Sequence, residues 1–319
     1  MKYVALFDFS DFIKQDKADT LPGQWTPIDR NFVGKLAPLR PEDGHKGTFG
    51  SLLVCAGSPG MSGAAYFCAN AACRSGVGIV HLWIPRDLVT PMFLSLPQAI
   101  AHPVPSDFPA VREELSALLP LMSAVVIGPG LDTADETVRD EILYVAEHAK
   151  NLLVDAGGLT VIAREPDIFA PVFAGRLGQG LPPAVFTPHP GEFARLVPGW
   201  DKEAREAGAK AFAAQWKVVL VLKGHKTLVC TPAGECYINS TGNDGLAKGG
   251  SGDVLSGLIG SLLAQGMSPR DAAAAGVYLH GLAGDYAATA LGRRYMQPTD
   301  LFAFFTDAFR YVRWENEQQ

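Results

Sequence analysis

The stretch Gly242–Gly266, GNDGLAKGGSGDVLSGLIGSLLAQG, joins a cluster of glycines to an apolar helix pattern. The apolar residues after Asp253 recur at helical spacing, so one side of this helix faces a core. Gly266 and Pro269 stand where a helix would end. Glycines at a helix start leave backbone N–H groups uncovered, and the helix N-terminus adds partial positive charge. The stretch therefore predicts an anion site, most naturally for phosphate.

Asp253 has two interpretations. A carboxylate repels a bound phosphate, so an aspartate is out of place in a site that only binds phosphate. Its position makes sense if Asp253 takes a proton from a hydroxyl group that attacks the phosphate. Aspartate is also a favoured N-cap residue, and in that position its role is only structural. The stretch by itself leaves both interpretations open.

Composition narrows the class of protein. The chain has 319 residues, of which 48% are hydrophobic and 19% are charged, as in globular proteins with a sizeable core. The net charge is −6 and no Lys/Arg-rich run occurs, which argues against a nucleic-acid partner. No apolar run is long enough for a membrane span or a signal-peptide core. The five cysteines at unremarkable spacing indicate reduced thiols, so we expect a cytoplasmic protein without a structural metal.

Residues 1–45 are mixed in composition and read as an N-terminal extension. After them, short apolar runs alternate with helix patterns. This alternation predicts an α/β fold with a mostly parallel sheet. The predicted strands are Ser51–Ala56, Ile79–Ile84, Ala124–Ile127, Leu152–Val154, Ala184–Phe186 and Val218–Leu222, followed by a hairpin of Thr227–Val229 and Cys236–Ile238. The predicted helices are Ala64–Arg74, Glu113–Leu119, Glu136–Lys150, Lys202–Gln215, the one after Asp253, Asp271–Ala290 and Asp300–Arg313.

Five predicted strands end in distinctive loops: AGSPG, GPG, DAG, TPHPG and KGHKT. Each loop alone can be a simple turn, and Asp155 in DAG can be a helix cap. Together they predict one site, because ligands of open α/β sheets bind outside the carboxyl ends of the strands.

The chain lacks GxxxxGK[ST] and a GxGxxG after the first strand, and GGSGD does not match GxSxG. These absences argue against a P-loop NTPase, a Rossmann dinucleotide domain and a serine hydrolase.

The run Gly250-Ser251-Gly252-Asp253 resembles the signature of the ribokinase-like superfamily. More narrowly, six motifs are similar to those of the ADP-dependent NAD(P)H-hydrate dehydratase family. They are KGTFGSLLVCAGSPGMSGAA, VIGPGL, VDAGGL, FTPHPGEFARL, VLKGHKT and NDGLAKGGSGDVLSG, and they cover Lys46 to about Gly284 in the family's order. Two positions depart from the family's usual residues: Ser251 stands for Thr and Gly158 for Ala.

The resemblance implies a three-layer α/β/α ribokinase-like domain over residues 46–319. It implies that the substrate is (6S)-NADHX or NADPHX, a hydrate of the reduced nicotinamide ring. ADP would phosphorylate the C6 hydroxyl group, and loss of phosphate would restore NADH or NADPH and leave AMP. Mg²⁺ is the expected cofactor, since phosphoryl transfer needs charge neutralised on the phosphates. The family also implies a homotetramer.

The same resemblance implies roles for individual residues. Asp253 would be the catalytic base and would contact the substrate. Three further residues would face the hydrate: Ala64, Gly130 and His189. The nucleotide would be bound by Lys223, Gly224, His225, Lys226, Thr227 and Asn243, and its phosphate by the N–H groups of Gly250, Ser251 and Gly252. Glu192 would help to place Mg²⁺, through water.

Two alternatives remain. One is a small-molecule kinase of the same superfamily that acts on a vitamin-precursor alcohol, although TPHPGE and KGHKT argue against it. The other is a non-catalytic nucleotide sensor that has kept the pocket, although the intact Asp253 argues against it.

Overall fold

The protein is built around one mixed sheet, seen in a computed structural model that describes residues 25–314. Its strands in this part of the chain are β1 (Thr26–Ile28), β2 (Ser51–Cys55), β3 (Ile79–Ile84), β4 (Ile100–Pro103), β5 (Ala124–Ile127), β6 (Leu152–Val154), β7 (Val185–Phe186), β8 (Val219–Leu222), β9 (Leu228–Cys230) and β10 (Cys236–Asn239). They lie in the order β1-β10-β9-β8-β7-β6-β5-β2-β3-β4. Every pairing is parallel except those of β9 with β8 and with β10. The predicted parallel sheet and the hairpin are therefore confirmed.

Helices cover both faces of the sheet. They are α1 (Arg30–Gly34), α2 (Ser62–Cys73), α3 (Val89–Ser95), α4 (Phe108–Leu118), α5 (Glu136–His148), α6 (Ala156–Arg164), α7 (Pro166–Gly175), α8 (Pro190–Leu196), α9 (Arg205–Trp216), α10 (Ser251–Ala264), α11 (Pro269–Leu291) and α12 (Leu301–Tyr311). Alternate residues of each strand enter opposite cores, as the pleat requires. In β2, Leu52 and Val54 join the core under α2, α10 and α11, whereas Leu53 and Cys55 join the core under α4, α5 and α9. The predicted three-layer α/β/α architecture is confirmed.

Small residues hold α10 deep in the structure. A Cβ at Gly257 would lie 1.9 Å from the Cys68 carbonyl oxygen of α2, and one at Gly260 would lie 2.3 Å from Val126 of β5. Only glycine allows this close approach of helix to helix and of helix to sheet. Because α10 cannot slide along its neighbours, its N-terminal end is fixed at the carboxyl edge of the sheet.

Part of the expected N-terminal extension belongs to the sheet. Residues 1–45 were expected to form an N-terminal extension that ends in a loop, but β1 within this segment pairs in parallel with β10. Near β1, Arg30 Nε donates to the Tyr311 carbonyl oxygen at 2.7 Å, and Trp314 Nε1 donates to the Val33 carbonyl oxygen at 2.9 Å. Residues 25–34 thus dock against the C-terminal helix, while residues 1–24 lie outside the described part of the chain.

The structure also contains five elements that were not predicted from the sequence, namely β4, α3, α6, α7 and α8. Helix α4 begins five residues before the predicted Glu113, because Asp107 caps it through a 3.0 Å bond from the Ala110 N–H. All five cysteines are free thiols, as expected. Within residues 25–314, no helix has the length and apolar character needed to cross a bilayer.

Candidate active site

The glycine-rich loop leads directly into α10. Gly250 is the N-cap residue, with φ of 98°, and Asp253 is the third residue of the helix. The interpretation of Asp253 as an N-cap is therefore wrong. A Cβ at Gly250 would lie 2.6 Å from the ring of Phe67 on α2, in a backbone conformation that side chains rarely adopt. The glycine thus lets the loop turn tightly and close over α2.

A lysine amine and two buried carboxylates form the centre of the site. Lys223, which follows β8, donates from Nζ to Asp155 Oδ1 at 2.9 Å and lies 3.8 Å from Glu192 Oε2. The other oxygen of Asp155, Oδ2, accepts a 2.7 Å bond from Ser256 Oγ of α10. Asp155 is only 1% exposed. It heads α6 but makes no capping bond, because its carboxylate is used across the sheet edge instead.

Lys223 also touches the glycine loop. A Cβ at Gly252 would lie 3.3 Å from Lys223 Nζ and 3.9 Å from Asp155 Oδ2. Burial alone would lower the pKa of Lys223, but the charges of Asp155 and Glu192 outweigh it and raise the pKa. The amine is therefore a permanent cation at the N-terminus of α10, where an anion would bind.

Asp253 is half-buried beside this cluster. Burial, and next the negative charge of Asp155, raise the pKa of Asp253 to about 7, although Lys223 opposes the shift. Glu192 raises it further. A carboxyl group whose pKa lies near neutrality can both hold and release a proton at working pH, which is the property of a general base.

A cavity of about 390 Å³ opens on one side of the glycine loop. Most of the predicted nucleotide residues line it, namely Lys223, Gly224, His225, Lys226, Thr227, Asn243, Ser251 and Gly252. Gly250 does not. The structure thus brings together the KGHKT loop after β8, the loop after β10 and the start of α10.

Two polar residues that the sequence analysis missed shape this cavity. Arg205 of α9 donates to the carbonyl oxygens of Leu222 and His225, both at 3.0 Å, and so fixes the KGHKT loop. Asp285 of α11 accepts 2.8 Å bonds from the Gly242 N–H and from Asn243 Nδ2. Asn243 is therefore held by protein partners, and its side chain supports the loop wall. Neither Arg205 nor Asp285 has a sequence signal that links it to these loops.

The predicted substrate residues lie outside the nucleotide cavity. Gly130 packs against α2 so closely that a Cβ there would lie 2.7 Å from Ala64 Cβ. His189 caps α8 in a reciprocal box: its Nδ1 accepts from the N–H groups of Gly191 and Glu192, and Glu192 Oε2 accepts from the His189 N–H at 2.7 Å. The His189 side chain is 53% exposed. The structure thus brings Ala64 together with Gly130, and His189 together with the Lys223 cluster through Glu192.

The residues present fit Mg²⁺ only in an indirect way. Residues 25–314 hold no group of three or more His, Cys, Asp or Glu side chains that could ligate a metal ion. Both oxygens of Glu192 face protein partners, His189 and Lys223. A Mg²⁺ that keeps water and nucleotide phosphates as its main ligands, the usual mode for this ion, is compatible with this arrangement. Glu192 would then reach the ion through water.

Fold and site together define a class of protein. A mostly parallel sheet lies between two helical layers. At the carboxyl edge of this sheet, a glycine-rich loop leads into α10, whose first turn contains Asp253. This is the ribokinase-like α/β fold, which solved structures of that superfamily share.

Comparison with known proteins narrows the class to a family. Residues 52–306 match the family described as NAD(P)H-hydrate dehydratase, and the chain belongs to this family. The ADP-dependent (S)-NAD(P)H-hydrate dehydratase of Neisseria meningitidis is 39% identical over 256 residues, covering 77% of this chain and 80% of that protein. The bifunctional NAD(P)H-hydrate repair enzyme of Moorella thermoacetica is 38% identical over 289 residues, covering 88% of this chain but 53% of that protein. The chain thus spans about half the length of this bifunctional relative.

A solved structure supports the same family assignment. The crystal structure of the ADP/ATP-dependent NAD(P)H-hydrate dehydratase from Bacillus subtilis, co-crystallised with ATP and Mg²⁺, superposes with a TM-score of 0.76 at 29% identity. The match covers 91% of this chain and 99% of that one.

Proposed function

We propose that this protein dehydrates (6S)-NADHX and NADPHX to NADH and NADPH at the expense of ADP. The observation that carries the proposal is the position of Asp253. Its carboxyl group, with a pKa of about 7, lies at the head of α10 beside Lys223 and next to the nucleotide cavity. Family membership supplies the substrate class, and the name of the Neisseria relative supports ADP as the phosphoryl donor.

In the proposed reaction, Asp253 accepts the proton of the C6 hydroxyl group. The hydroxyl oxygen forms a bond to the terminal phosphorus of ADP, and the bond between that phosphorus and the bridging oxygen breaks, which leaves AMP. The N–H groups of Gly250 and Gly252 and the ammonium of Lys223 stabilise the transferring phosphate, since they are preorganised donors at a helix N-terminus. The Ser251 N–H, which the sequence assigned to the same role, donates instead to the Lys248 carbonyl oxygen at 3.2 Å. The phosphorylated ring then loses phosphate and a proton, which restores the dihydronicotinamide.

The nucleotide and the hydrate occupy different parts of the site. The cavity lined by the KGHKT loop receives the nucleotide. Ala64, Gly130 and His189 lie beyond it and bind the hydrate. Glu192 would hold Mg²⁺ through water, and the ion would supply charge neutralisation on the phosphates of the nucleotide. The close contact of Gly130 with Ala64 leaves no space for a larger residue at position 130, which supports a fixed ring pocket.

The test is to add protein and Mg²⁺ to NADH hydrate with ADP, and with ATP in parallel, and to follow NADH by near-UV absorbance and AMP by chromatography. We expect absorbance to rise with ADP and AMP to form in equal amount, and Asp253→Asn to lose nearly all turnover while still binding ADP. A rise in absorbance only with ATP would mean that ATP, and not ADP, is the phosphoryl donor. A stable phosphorylated product would indicate the small-molecule kinase, and ADP binding without turnover in any form would indicate the sensor.

A further inference from the structure

Ser256 of α10 is a fully buried residue whose hydroxyl group bonds to a distant carboxylate. Hydroxyl groups inside helices commonly donate to the carbonyl oxygen four residues earlier, as those of Thr160 and Thr289 do in this protein. Ser256 Oγ instead donates its one hydrogen to Asp155 Oδ2, at 2.7 Å and across 101 residues of sequence. Both residues are at most 1% exposed. A bond from a hydroxyl group to a buried carboxylate is among the strong hydrogen bonds of proteins.

This bond fixes the carboxylate that holds Lys223. Asp155 uses one oxygen for each partner: Oδ1 accepts from Lys223 Nζ at 2.9 Å, and Oδ2 accepts from Ser256. With both oxygens anchored, the carboxylate cannot rotate without breaking a bond. The amine of Lys223 is thereby kept beside the glycine loop, where a Cβ at Gly252 would lie 3.3 Å from Nζ.

Ser256 also lies next to the proposed base. Asp253 and Ser256 are three residues apart in α10, so their side chains are neighbours on the helix surface. The charge of Asp155 is the second cause, after burial, of the raised pKa of Asp253. The hydroxyl hydrogen of Ser256 carries partial positive charge and points at Asp155, so it offsets part of the negative charge that Asp253 experiences.

The other groups around Asp253 do not depend on Ser256. Lys223 lowers the pKa of Asp253 and Glu192 raises it. Two more ionisable residues lie nearby, Cys68 on α2 and His280 on α11, and both are neutral near pH 7. Burial raises the pKa of the Cys68 thiol well above its ordinary value, and burial lowers the pKa of His280 to about 4.

We propose that Ser256 is a positioning residue for the reaction: it fixes Asp155, and Asp155 in turn holds Lys223 at the phosphate site and sets the charge beside Asp253. Because Ser256 is fully buried, it acts only through Asp155 and contacts neither ligand. The proposal rests on the proposed function, since it assigns Ser256 a part in that reaction.

The test compares two substitutions at Ser256 with a matched control. Ser256→Ala removes the donor, whereas Ser256→Cys keeps the shape of the side chain and leaves a weak donor. The control is Ser261→Ala, also in α10 and also fully buried. Ser261 Oγ accepts from the Val77 N–H at 3.3 Å and from Gln265 Nε2 at 3.2 Å, so this change also removes buried hydrogen bonds but leaves Asp155 untouched. Thermal melting shows whether each variant folds.

Initial rates of NADH formation are measured against pH and ADP concentration, and ADP affinity is measured by calorimetry without the hydrate. We expect kcat of Ser256→Ala to fall about tenfold, the usual effect of losing one hydrogen bond to a charged group. ADP affinity should change by less than about twofold, since the charge of Lys223 is retained.

The pH dependence should distinguish positioning from simple destabilisation. In Ser256→Ala more of the charge of Asp155 reaches Asp253, so kcat/KM should reach half of its plateau at a higher pH than in the natural protein. Ser256→Cys should lie between the two in both kcat and pH dependence. Ser261→Ala should melt at a lower temperature but keep the natural kcat and pH profile.

Three outcomes would overturn the assignment. If folded Ser256→Ala keeps the kcat and the pH profile of Ser261→Ala, the bond to Asp155 is only structural. A profile that moves to lower pH would mean that Asp155 loses its charge without Ser256, which contradicts the inferred arrangement. If Ser256→Ala does not fold, the same two readings on Ser256→Cys decide. Absence of turnover in the natural protein, with ADP and with ATP, would reject the proposed function and the role of Ser256 with it.

Discussion

The protonation state of Asp253 should control turnover. Burial, and next the charge of Asp155, raise the pKa of Asp253 to about 7. A general base works only when ionised, so kcat/KM should rise with pH, reach half of its plateau near pH 7 and level off about one pH unit higher. With a pKa of about 7, roughly one-tenth of Asp253 is ionised at pH 6, and kcat/KM there should be about a tenth of its plateau.

The matched variant is Asp155→Asn. It removes the negative charge that contributes most, after burial, to the raised pKa of Asp253, while Lys223, which lowers that pKa, remains. The rising limb of the pH profile should therefore move to lower pH. The phosphates of ADP also titrate in this range, but they do so equally with both proteins, so the difference between the two profiles reports the enzyme.

The assay is the initial rate of NADH formation at low hydrate concentration, from about pH 5.5 to about pH 8.5. Circular dichroism at each pH checks that both proteins stay folded. A flat profile for the natural protein would show that Asp253 does not limit the reaction as a base. A limb that stays in place in Asp155→Asn would show that the charge of Asp155 does not set the pKa of Asp253.

Three further changes test other parts of the structure. Gly250→Ala would place a Cβ 2.6 Å from the Phe67 ring and should cost about 1–3 kcal/mol of stability and most turnover, whereas Gly249→Ala, which meets nothing within 4 Å, should change little in melting or activity. Burial raises the pKa of Glu141 from 4.5 to about 7, so the folded state retains a proton and stability falls as pH rises through this range, by at most about 3 kcal/mol. Glu141→Gln should flatten that fall, and an unchanged dependence of melting temperature on pH would contradict the cause. Glu192→Gln keeps an oxygen for the His189 N–H but loses the charge, so half-maximal activity should need more Mg²⁺ with little change in ADP affinity; an unaltered Mg²⁺ titration would remove Glu192 from the metal's surroundings.

The interior of the sheet was predictable from sequence, and its edges were not. Strands β2, β5, β6 and β8 are short apolar runs because both of their faces are buried. Strand β4, IAHP, is an edge strand with a half-exposed pattern and a proline. Strand β1 has only three residues, TPI, and its first two are exposed. Neither gives a periodic signal, because their pairing depends on neighbours that are distant in sequence.

The loops of the site were predictable, but the pairing within it was not. Glycine, proline and charged residues after the strands marked the carboxyl edge correctly. Asp155, however, could be a helix cap on local grounds, and its actual partners, Lys223 and Ser256, lie 68 and 101 residues away. At Gly158 a Cβ would lie 2.7 Å from Val154 Cγ1, so a side chain there would need its neighbour to move. Such facts depend on distances that no local pattern contains.

The charged groups around Lys223 also explain why an aspartate can face a phosphate site. Asp155, Glu192 and Asp253 surround one cation, Lys223, so the group is more negative than positive when all three carboxyl groups are ionised. Asp253 relieves part of this excess, since its pKa of about 7 leaves about half of the molecules protonated near neutral pH. A neutral carboxyl group does not repel an incoming phosphate, whereas a lower pKa would keep the charge in place and weaken binding. A much higher pKa would admit the phosphate but leave no base. In the proposed reaction, a value near neutrality serves both binding and proton removal, and the neighbours that set it are part of the catalytic design.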